Sequence, residues 1–318
     1  HCFDFIKGFQ QLLKIFEKDT VPVPLKKVLT EIEKIINKDQ FAIVDKYKSG
    51  DDLNNAQKLA LAHFIRHGYK QNILSLVVLY AQIDAWYGMA AAVQKFGLVF
   101  PDFVQSNEPV IEATGLYHLL VQEPVVYDVS LDQKSNFLFL TGANMAGKST
   151  FIKSVGASVF LAHIGMGVPA QQMKLTLFDG MLSNINVVDN IAKGESYFYN
   201  EVQRIKNTIT KISDGKKWLI LIDELFKGTN VQDAMKCSST VIEGLLKMKN
   251  SLFILSTHLY EIGEDLKKYP NIDFKYFETS VINDQLHFSY HLKDGISNDR
   301  LGYLILKREG VVEMLEKM

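Results

Sequence analysis

The segment GANMAGKS, Gly142 to Ser149, contains the residue types that bind nucleotide phosphates. It matches the pattern G-x-x-x-x-G-K-S/T of a phosphate-binding loop at every fixed position. Glycines let successive backbone amides turn towards phosphate oxygens, and a helix after the loop adds its positive end. Lys148 would reach the terminal phosphates, and the Ser149 hydroxyl would be a ligand of Mg²⁺. An apolar run before the loop and a helix-like run after it favour a nucleotide site, with ATP and Mg²⁺ as its ligands.

Two acids end a second apolar run, WLILIDEL, Trp218 to Leu225. Asp223, at the tip of the predicted strand, is placed to hold Mg²⁺ through water. Glu224 is the candidate to orient and polarise a water molecule that attacks the terminal phosphate. Acids at strand ends can also cap helices, but an acid pair downstream of a phosphate-binding loop indicates catalysis.

A third apolar run, SLFILSTH, ends at His258. In many ATPases with a phosphate-binding loop, a polar residue at this place senses the terminal phosphate, whereas a single histidine is often structural. The residues alone leave both interpretations open. The short segment Gly228 to Asn230, which follows the acid pair, could form a loop that crosses to a second subunit.

The first hundred residues predict an all-α domain, residues 1–100. Phe5, Phe9 and Leu12 recur at the spacing of one helical face, and the prolines of the VPVP segment break that helix. The most apolar run, ILSLVVLYAQIDAWYGMAAAV from Ile73, is interrupted by polar side chains. It therefore predicts a buried helix rather than a membrane span.

Residues 101–318 predict an α/β domain. Short β-type runs alternate with helical runs, which is the signature of a mainly parallel central sheet with crossover helices. Near the end, a hairpin is predicted to turn at Asn283-Asp284. A final helix is expected from about Asn298.

Composition limits the classes of partner and metal site. The formal net charge of -1 gives no overall basic signal, so any contact with nucleic acid must come from a local patch or from parts of a longer protein outside this sequence. Cys2 and Cys237 alone cannot form a disulfide framework or a cysteine zinc site, which fits a reducing compartment. His63 and His67 lie four residues apart, but no third ligand is in view, so packed or surface histidines are expected.

Four motifs in series, TGANMAGKST, GESYFYNEV, LIDELFKGTN and STHLYEI, resemble the ATPase domain of the MutS mismatch-repair family. The family versions read approximately TGPNMGGKST, GxSTFxxE, DExGRGTS and ATHxxEL. The resemblance extends over roughly Glu112 to Val312, and the helices before it resemble the end of the family's lever and core domain. It implies an ABC-type P-loop ATPase that uses Mg²⁺ and acts on mismatched or branched DNA. It further implies a homodimer or a pair with a related subunit, a cytoplasmic protein (nucleoid-associated if bacterial), and no membrane partner.

The resemblance also implies roles for individual residues. Asn144 would contact the nucleotide phosphates beside Lys148 and Ser149. Ser196 would face the terminal phosphate bound by a partner subunit, and Tyr276 falls where the family stacks a ring on adenine. The other nucleotide-binding residues that the resemblance implies belong to the loop: Gly142, Met145, Ala146, Gly147 and Thr150.

Several positions depart from the family pattern. Ala143 and Ala146 replace a proline and a glycine of the loop, and LFKGTN replaces the more usual glycine-arginine version. Tyr197 replaces a threonine, whereas Glu201 matches the family's acid in the second motif. The chain starts at His1 without methionine, which suggests a fragment or a processed product, and no clamp or mismatch-reading domain precedes the helices.

These departures support an alternative function, a nucleotide-gated DNA-binding or scaffold protein with little or no hydrolysis. A third class, the transporter-type ABC ATPase, predicts an LSGGQ-like segment before the acid pair. The chain has GESYFYNEV there instead, so the transporter class is disfavoured.

Overall fold

The computed structural model describes residues 1–16, 20–185, 197–282, 285–297 and 310–316. Over these residues the protein is of mixed α/β type. The chain divides into two compact units, His1–Ala92 and Val93–Met318. The division falls inside a long helix, whereas the sequence predicts a domain boundary after residue 100.

The described part of the first unit is helical. Its helices are Cys2–Ile15 (α1), Val23–Ile36 (α2), Ile43–Lys46 (α3), Asn55–His63 (α4) and the greater part of Lys70–Phe96 (α5). Phe9 of the predicted apolar face is buried, and Phe5 and Leu12 pack against the same cluster. Pro24 lies in the first turn of α2, where the missing amide donor costs nothing.

The long helix α5 is mostly exposed, so the prediction of a buried helix is wrong. Leu76 is the buried residue of α5, whereas Leu74, Val78 and Tyr87 are exposed. The apolar side chains of α5 are distributed around the whole helix, so packing of one face leaves those on the other faces exposed to solvent. By length and composition alone, α5 could also cross a membrane. Core helices of soluble proteins and signal sequences meet the same criterion, so it is weak evidence for a membrane span.

The second unit combines two sheets with helices. Its strands are Asp102–Phe103 (β1), Ile111–Leu116 (β2), Tyr127–Leu131 (β3), Phe137–Thr141 (β4), Gln172–Leu175 (β5), Gly180–Asn184 (β6), Trp218–Asp223 (β7), Ser251–Ser256 (β8), Ile272–Ile282 (β9) and Gln285–Asp294 (β10). Its further helices are Lys148–His163 (α6), Tyr197–Ile212 (α7), Val231–Leu245 (α8), Glu261–Leu266 (α9) and Val311–Glu316 (α10).

The larger sheet has six strands in the order β10-β9-β4-β8-β7-β6. Neighbouring strands are parallel from β9 to β6, and β10 is antiparallel to β9. The smaller sheet has the order β1-β5-β2-β3, with β2 antiparallel to both of its neighbours. The strands β4, β7 and β8 are buried on both faces, which explains their continuous apolar runs.

Alternate residues of the central strands face two different layers. Leu138 of β4 packs in the cluster that contains Phe151 of α6. Phe139 packs in the other cluster, with Ile205 of α7 and Ile242 of α8. Because β4, β7 and β8 are parallel neighbours, their carboxyl ends lie at one edge of the sheet, and the helices on both faces keep that edge in place.

The strands β9 and β10 pair as a hairpin up to Ile282 and Gln285, which confirms the predicted hairpin. The predicted turn residues, 283–284, lie outside the described residues. The predicted final helix falls partly outside them too, since residues 298–309 are not described and α10 begins at Val311.

Candidate nucleotide-binding site

The segment Gly142–Ser149, called the glycine loop below, joins β4 to α6. Gly142 and Gly147 have φ angles of 141° and 112°, a backbone conformation that other residues rarely adopt. A Cβ atom on Gly142 would also lie 3.2 Å from the carbonyl oxygen of Phe277. Ala146, where the family has glycine, is not among the residues with positive φ. A methyl group is therefore tolerated at that departure.

Lys148 begins α6 and turns back over the loop. Its Nζ donates hydrogen bonds to the carbonyl oxygens of Gly142 (2.7 Å) and Ala143 (2.9 Å). Burial lowers the pKa of Lys148, and the charges of Glu224 and Asp223 oppose that change. Lys148 is thus a buried lysine whose ammonium group donates to carbonyl groups of the glycine loop.

Asp223, at the end of β7, accepts hydrogen bonds from two hydroxyl groups. Ser149 Oγ donates to one carboxylate oxygen at 2.6 Å, and Ser256, aligned with Asp223 on β8, donates to the other. A hydroxyl and a carboxylate are hard oxygen ligands, and Mg²⁺ bound with nucleotide phosphates needs only one or two protein ligands. The pair Ser149 and Asp223 therefore fits Mg²⁺. Within the described ranges, no group of three or more His, Cys, Asp or Glu side chains could hold a metal.

Glu224 is oriented by three contacts. Its backbone amide donates to the carbonyl oxygen of Ser256 at 2.9 Å. Lys227 Nζ lies 2.9 Å and His258 Nδ1 lies 3.5 Å from the same carboxylate oxygen of Glu224, whose side chain is 16% exposed. Burial opposes ionisation, but hydrogen bonds from His258 and Lys227 and their charges outweigh it and lower the pKa of Glu224 to about 2. His258 therefore lies beside the candidate catalytic acid.

A cavity of about 480 Å³ opens along the glycine loop. Of the predicted residues, seven line it: Asn144, Met145, Gly147, Lys148, Ser149, Thr150 and Glu224. Apolar and aromatic side chains complete the lining, among them Val121, Val125 and Tyr290. A nucleotide requires such a mixed lining, because its phosphates are charged and its base is a flat ring with apolar faces. A larger cavity, of about 590 Å³, is lined by residues of both sheets but by none of the predicted site residues.

Tyr276, the predicted adenine-stacking residue, does not line the 480 Å³ cavity. It lines a separate cleft with His291 and Lys293. Tyr290 lines the cavity instead. Its φ angle is 55°, and the pairing register of β10 shifts between Phe288 and Leu292. The irregularity brings the ring next to the loop, where a Cβ atom on Gly147 would lie 3.4 Å from it. Strand alternation in the sequence does not reveal this bulge.

Several further residues of the site were not predicted from the sequence. Lys227 and Ser256 contact the acid pair, and His118 lines the cavity. Lys227 could have been found as the only cation directly after the acids, whereas the hydroxyl of Ser256 has no sequence signal beyond its place at a strand end. Ser196 lies outside the described residues, so its contact with a partner subunit stays a prediction.

The fold and site define a mixed α/β protein with a candidate phosphate-binding loop beside an acid pair. Residues 138–315 match the family model of MutS domain V. The chain belongs to the MutS family.

Several proteins named "DNA mismatch repair protein MutS" are similar to the chain. The chain is 28% identical over 253 residues to the protein from Lactococcus lactis subsp. cremoris (strain MG1363), covering 78% of the chain and 30% of that relative. It is 31% identical over 238 residues to the one from Pseudothermotoga lettingae, covering 72% of the chain and 28% of the relative. The chain is 31% identical over 262 residues to the protein from Leptospira interrogans, covering 78% of the chain and 30% of that relative. The chain thus spans less than a third of the length of these relatives.

Proposed function

We propose that the protein is a Mg²⁺-dependent ATPase of the MutS family that acts on DNA. The observation that carries the proposal is the meeting of Lys148, the pair Ser149 and Asp223, and the ionised Glu224 at one edge of the sheet. Each of these groups matches one requirement of phosphoryl transfer to water, namely phosphate binding, metal binding and orientation of the water.

Nucleotide binding would use the whole cavity. The phosphates would lie on the amides of the glycine loop and at the start of α6, where the helix dipole favours negative charge. Lys148 would exchange its hydrogen bonds to the Gly142 and Ala143 carbonyl groups for phosphate oxygens. The base would pack against the Tyr290 ring, since flat rings stack on aromatic side chains.

Ser149 and Asp223 would hold Mg²⁺ together with phosphate oxygens and water. When bound, Mg²⁺ supplies positive charge that offsets the charge developing on the phosphates. The proton of Ser149 Oγ points to Asp223 in the structure, so the hydroxyl oxygen keeps a lone pair for a cation. The second hydroxyl, from Ser256, would help to keep the Asp223 carboxylate oriented for the cation.

Glu224 would orient and polarise the attacking water. A carboxylate with a pKa of about 2 is a weak proton acceptor, so its main contribution is to align the water and favour partial negative charge on its oxygen. Lys148, which lines the cavity, would neutralise charge that develops in the transition state. His258, next to Glu224, would hold the carboxylate towards the cavity.

Dimerisation and the action on DNA rest on family membership. Ser196 would complete the nucleotide site of a partner subunit, as the motif resemblance implies. The relatives are named for DNA mismatch repair, but the chain matches only part of their length, so the form of DNA is left to experiment. Because the net charge of this chain is -1, phosphate contacts would come from a local surface of it or from parts of a longer protein.

A second candidate function is a nucleotide-gated DNA-binding or scaffold protein with little or no hydrolysis. The pairing of Glu224 with Lys227 favours it, because a carboxylate engaged by a lysine has one oxygen fewer for water. Under this alternative, nucleotide binding and DNA affinity persist without release of phosphate.

The proposal is tested by ATP turnover and DNA binding of the full chain. Phosphate release is measured with and without Mg²⁺, and with mismatched, branched or homoduplex DNA at two salt concentrations. We expect Mg²⁺-dependent release, a change in rate on addition of DNA, and DNA affinity that falls steeply with salt. ATP binding without any release would favour the second candidate, and salt-independent DNA binding would contradict the role of phosphate contacts.

A further inference from the structure

Glu201 is a buried acid that has no part in the proposed binding or hydrolysis of ATP described above. It is the fifth residue of α7, just after the first turn, and 5% of its surface is exposed. Burial of a carboxylate is costly unless hydrogen bonds compensate. The two carboxylate oxygens accept one hydrogen bond each, from the backbone amides of Lys227 and Gly228, both at 3.2 Å. Among the described residues, the hydrogen-bond partners of the Glu201 carboxylate are thus main-chain amides.

The backbone that Glu201 binds is the segment Glu224–Gly228, called the acid loop below. Glu224 and Phe226 have φ angles of 68° and 56°, the left-handed region that side-chain-bearing residues rarely occupy. Such conformations persist only where surrounding contacts determine them. One end of the acid loop is held by the hydrogen bond from the Glu224 amide to Ser256. The other end is held by Glu201.

The first turn of α7 and the acid loop are tightly packed. A Cβ atom on Gly228 would lie 2.7 Å from the backbone nitrogen of Phe198, so a side chain cannot be accommodated there. The ring of Phe226 lies 5.7 Å from the ring of Phe198. The close packing of α7 against the acid loop holds the Glu201 carboxylate within hydrogen-bond distance of the amides of Lys227 and Gly228.

We propose that Glu201 is a positioning residue for Glu224. Its carboxylate fixes the main chain at residues 227–228, which places Lys227 Nζ at 2.9 Å from the Glu224 carboxylate and keeps Glu224 in its left-handed conformation. Glu201 does not line the nucleotide cavity, so it acts on hydrolysis through Glu224 and not through nucleotide binding. The inference rests on the proposed ATPase function.

The test is a double-mutant cycle on phosphate release from Mg-ATP by the full chain. Glu201→Gln keeps the shape of the side chain but retains one acceptor oxygen for two amides. We expect it to lower kcat by about 10- to 100-fold, the scale of a small misplacement of a catalytic group. The dissociation constant for ATP should not change. In the Glu224→Gln background, Glu201→Gln should cause no further loss, because the group that it positions is already removed.

Controls separate positioning from folding. Lys206→Ala changes an exposed residue of the same helix and should match wild type. Should Glu201→Gln fail to fold, Glu201→Asp retains the charge but is one methylene too short to reach both amides, and it enters the same cycle. With an active wild type, unchanged kcat in the Glu201 variant, or an equal loss in both backgrounds, overturns the inference alone. An inactive wild type overturns the proposed function, and the inference with it.

Discussion

Asp223 and Glu224 are adjacent acids with different surroundings. Two hydroxyl groups donate to Asp223, whereas a lysine and a histidine approach Glu224. Hydroxyl donors keep Asp223 oriented and leave it able to accept a cation. Hydrogen bonds from His258 and Lys227 favour the ionised form of Glu224. The two acids are therefore suited to the separate tasks of metal binding and water orientation.

The ionised Glu224 should stabilise the fold in a pH-dependent way. Its pKa is about 2 in the folded protein and about 4.3 in an unfolded chain. Since the folded pKa is the lower one, the stabilisation is complete above the unfolded pKa and is lost as pH falls towards 2. We expect the difference in free energy of unfolding between wild type and Glu224→Gln to be constant from pH 7 to about pH 5 and to shrink below that.

Urea unfolding at several pH values between 3 and 7 measures this difference. Glu108→Gln serves as the control, because Glu108 is an exposed acid of the second unit that lies outside the site. A difference that stays constant down to pH 3 would show that Glu224 has an ordinary pKa and that Lys227 and His258 do not stabilise its charge.

The positions of single site residues were largely predictable from the sequence. Lys148, Ser149, Asp223 and Glu224 stand in recognisable motifs, and the structure brings them to one edge of the sheet. Contacts made across the chain were not predictable. The hydroxyl of Ser256 reaches Asp223 because β7 and β8 are neighbours in register, and sequence alone does not give strand order.

At the scale of elements, loops and one irregular strand place the site. The glycine loop and the acid loop follow β4 and β7, and both contain left-handed residues. The strand-loop-helix order was predicted from apolar runs and glycines. The register shift in β10 was not, because a bulge changes which face a residue occupies without changing the alternation of residue types.

The bulge in β10 gives a prediction that separates two tyrosines. Tyr290→Ala should weaken nucleotide binding by about tenfold, since stacking of a base on an aromatic ring contributes about 1–3 kcal/mol. Tyr276→Ala is the matched control on the partner strand of the hairpin, and it should leave the affinity unchanged because Tyr276 lines a different cleft. Equilibrium titration with a fluorescent ATP analogue measures both. Loss of affinity in Tyr276→Ala, with none in Tyr290→Ala, would restore the assignment made from the sequence.

At the scale of the whole molecule, the two units differ in how well the sequence predicted them. The α/β class follows from the alternation of strand-like and helical runs, which is a local property of the chain. The exposure of α5 could not be predicted from the sequence, because an apolar run does not reveal which other elements pack against it. The chain belongs to the MutS family, but it spans less than a third of the relatives' length.

The central claim, that the site hydrolyses ATP through Glu224, is tested most directly by phosphate release. Wild type and Glu224→Gln are compared at saturating Mg-ATP, with ATP affinity measured on the same samples. We predict turnover by wild type, a loss of about 100-fold or more in kcat for Glu224→Gln, and similar ATP affinity for both. Equal rates for the two proteins, or ATP binding by wild type without release of phosphate, would contradict it.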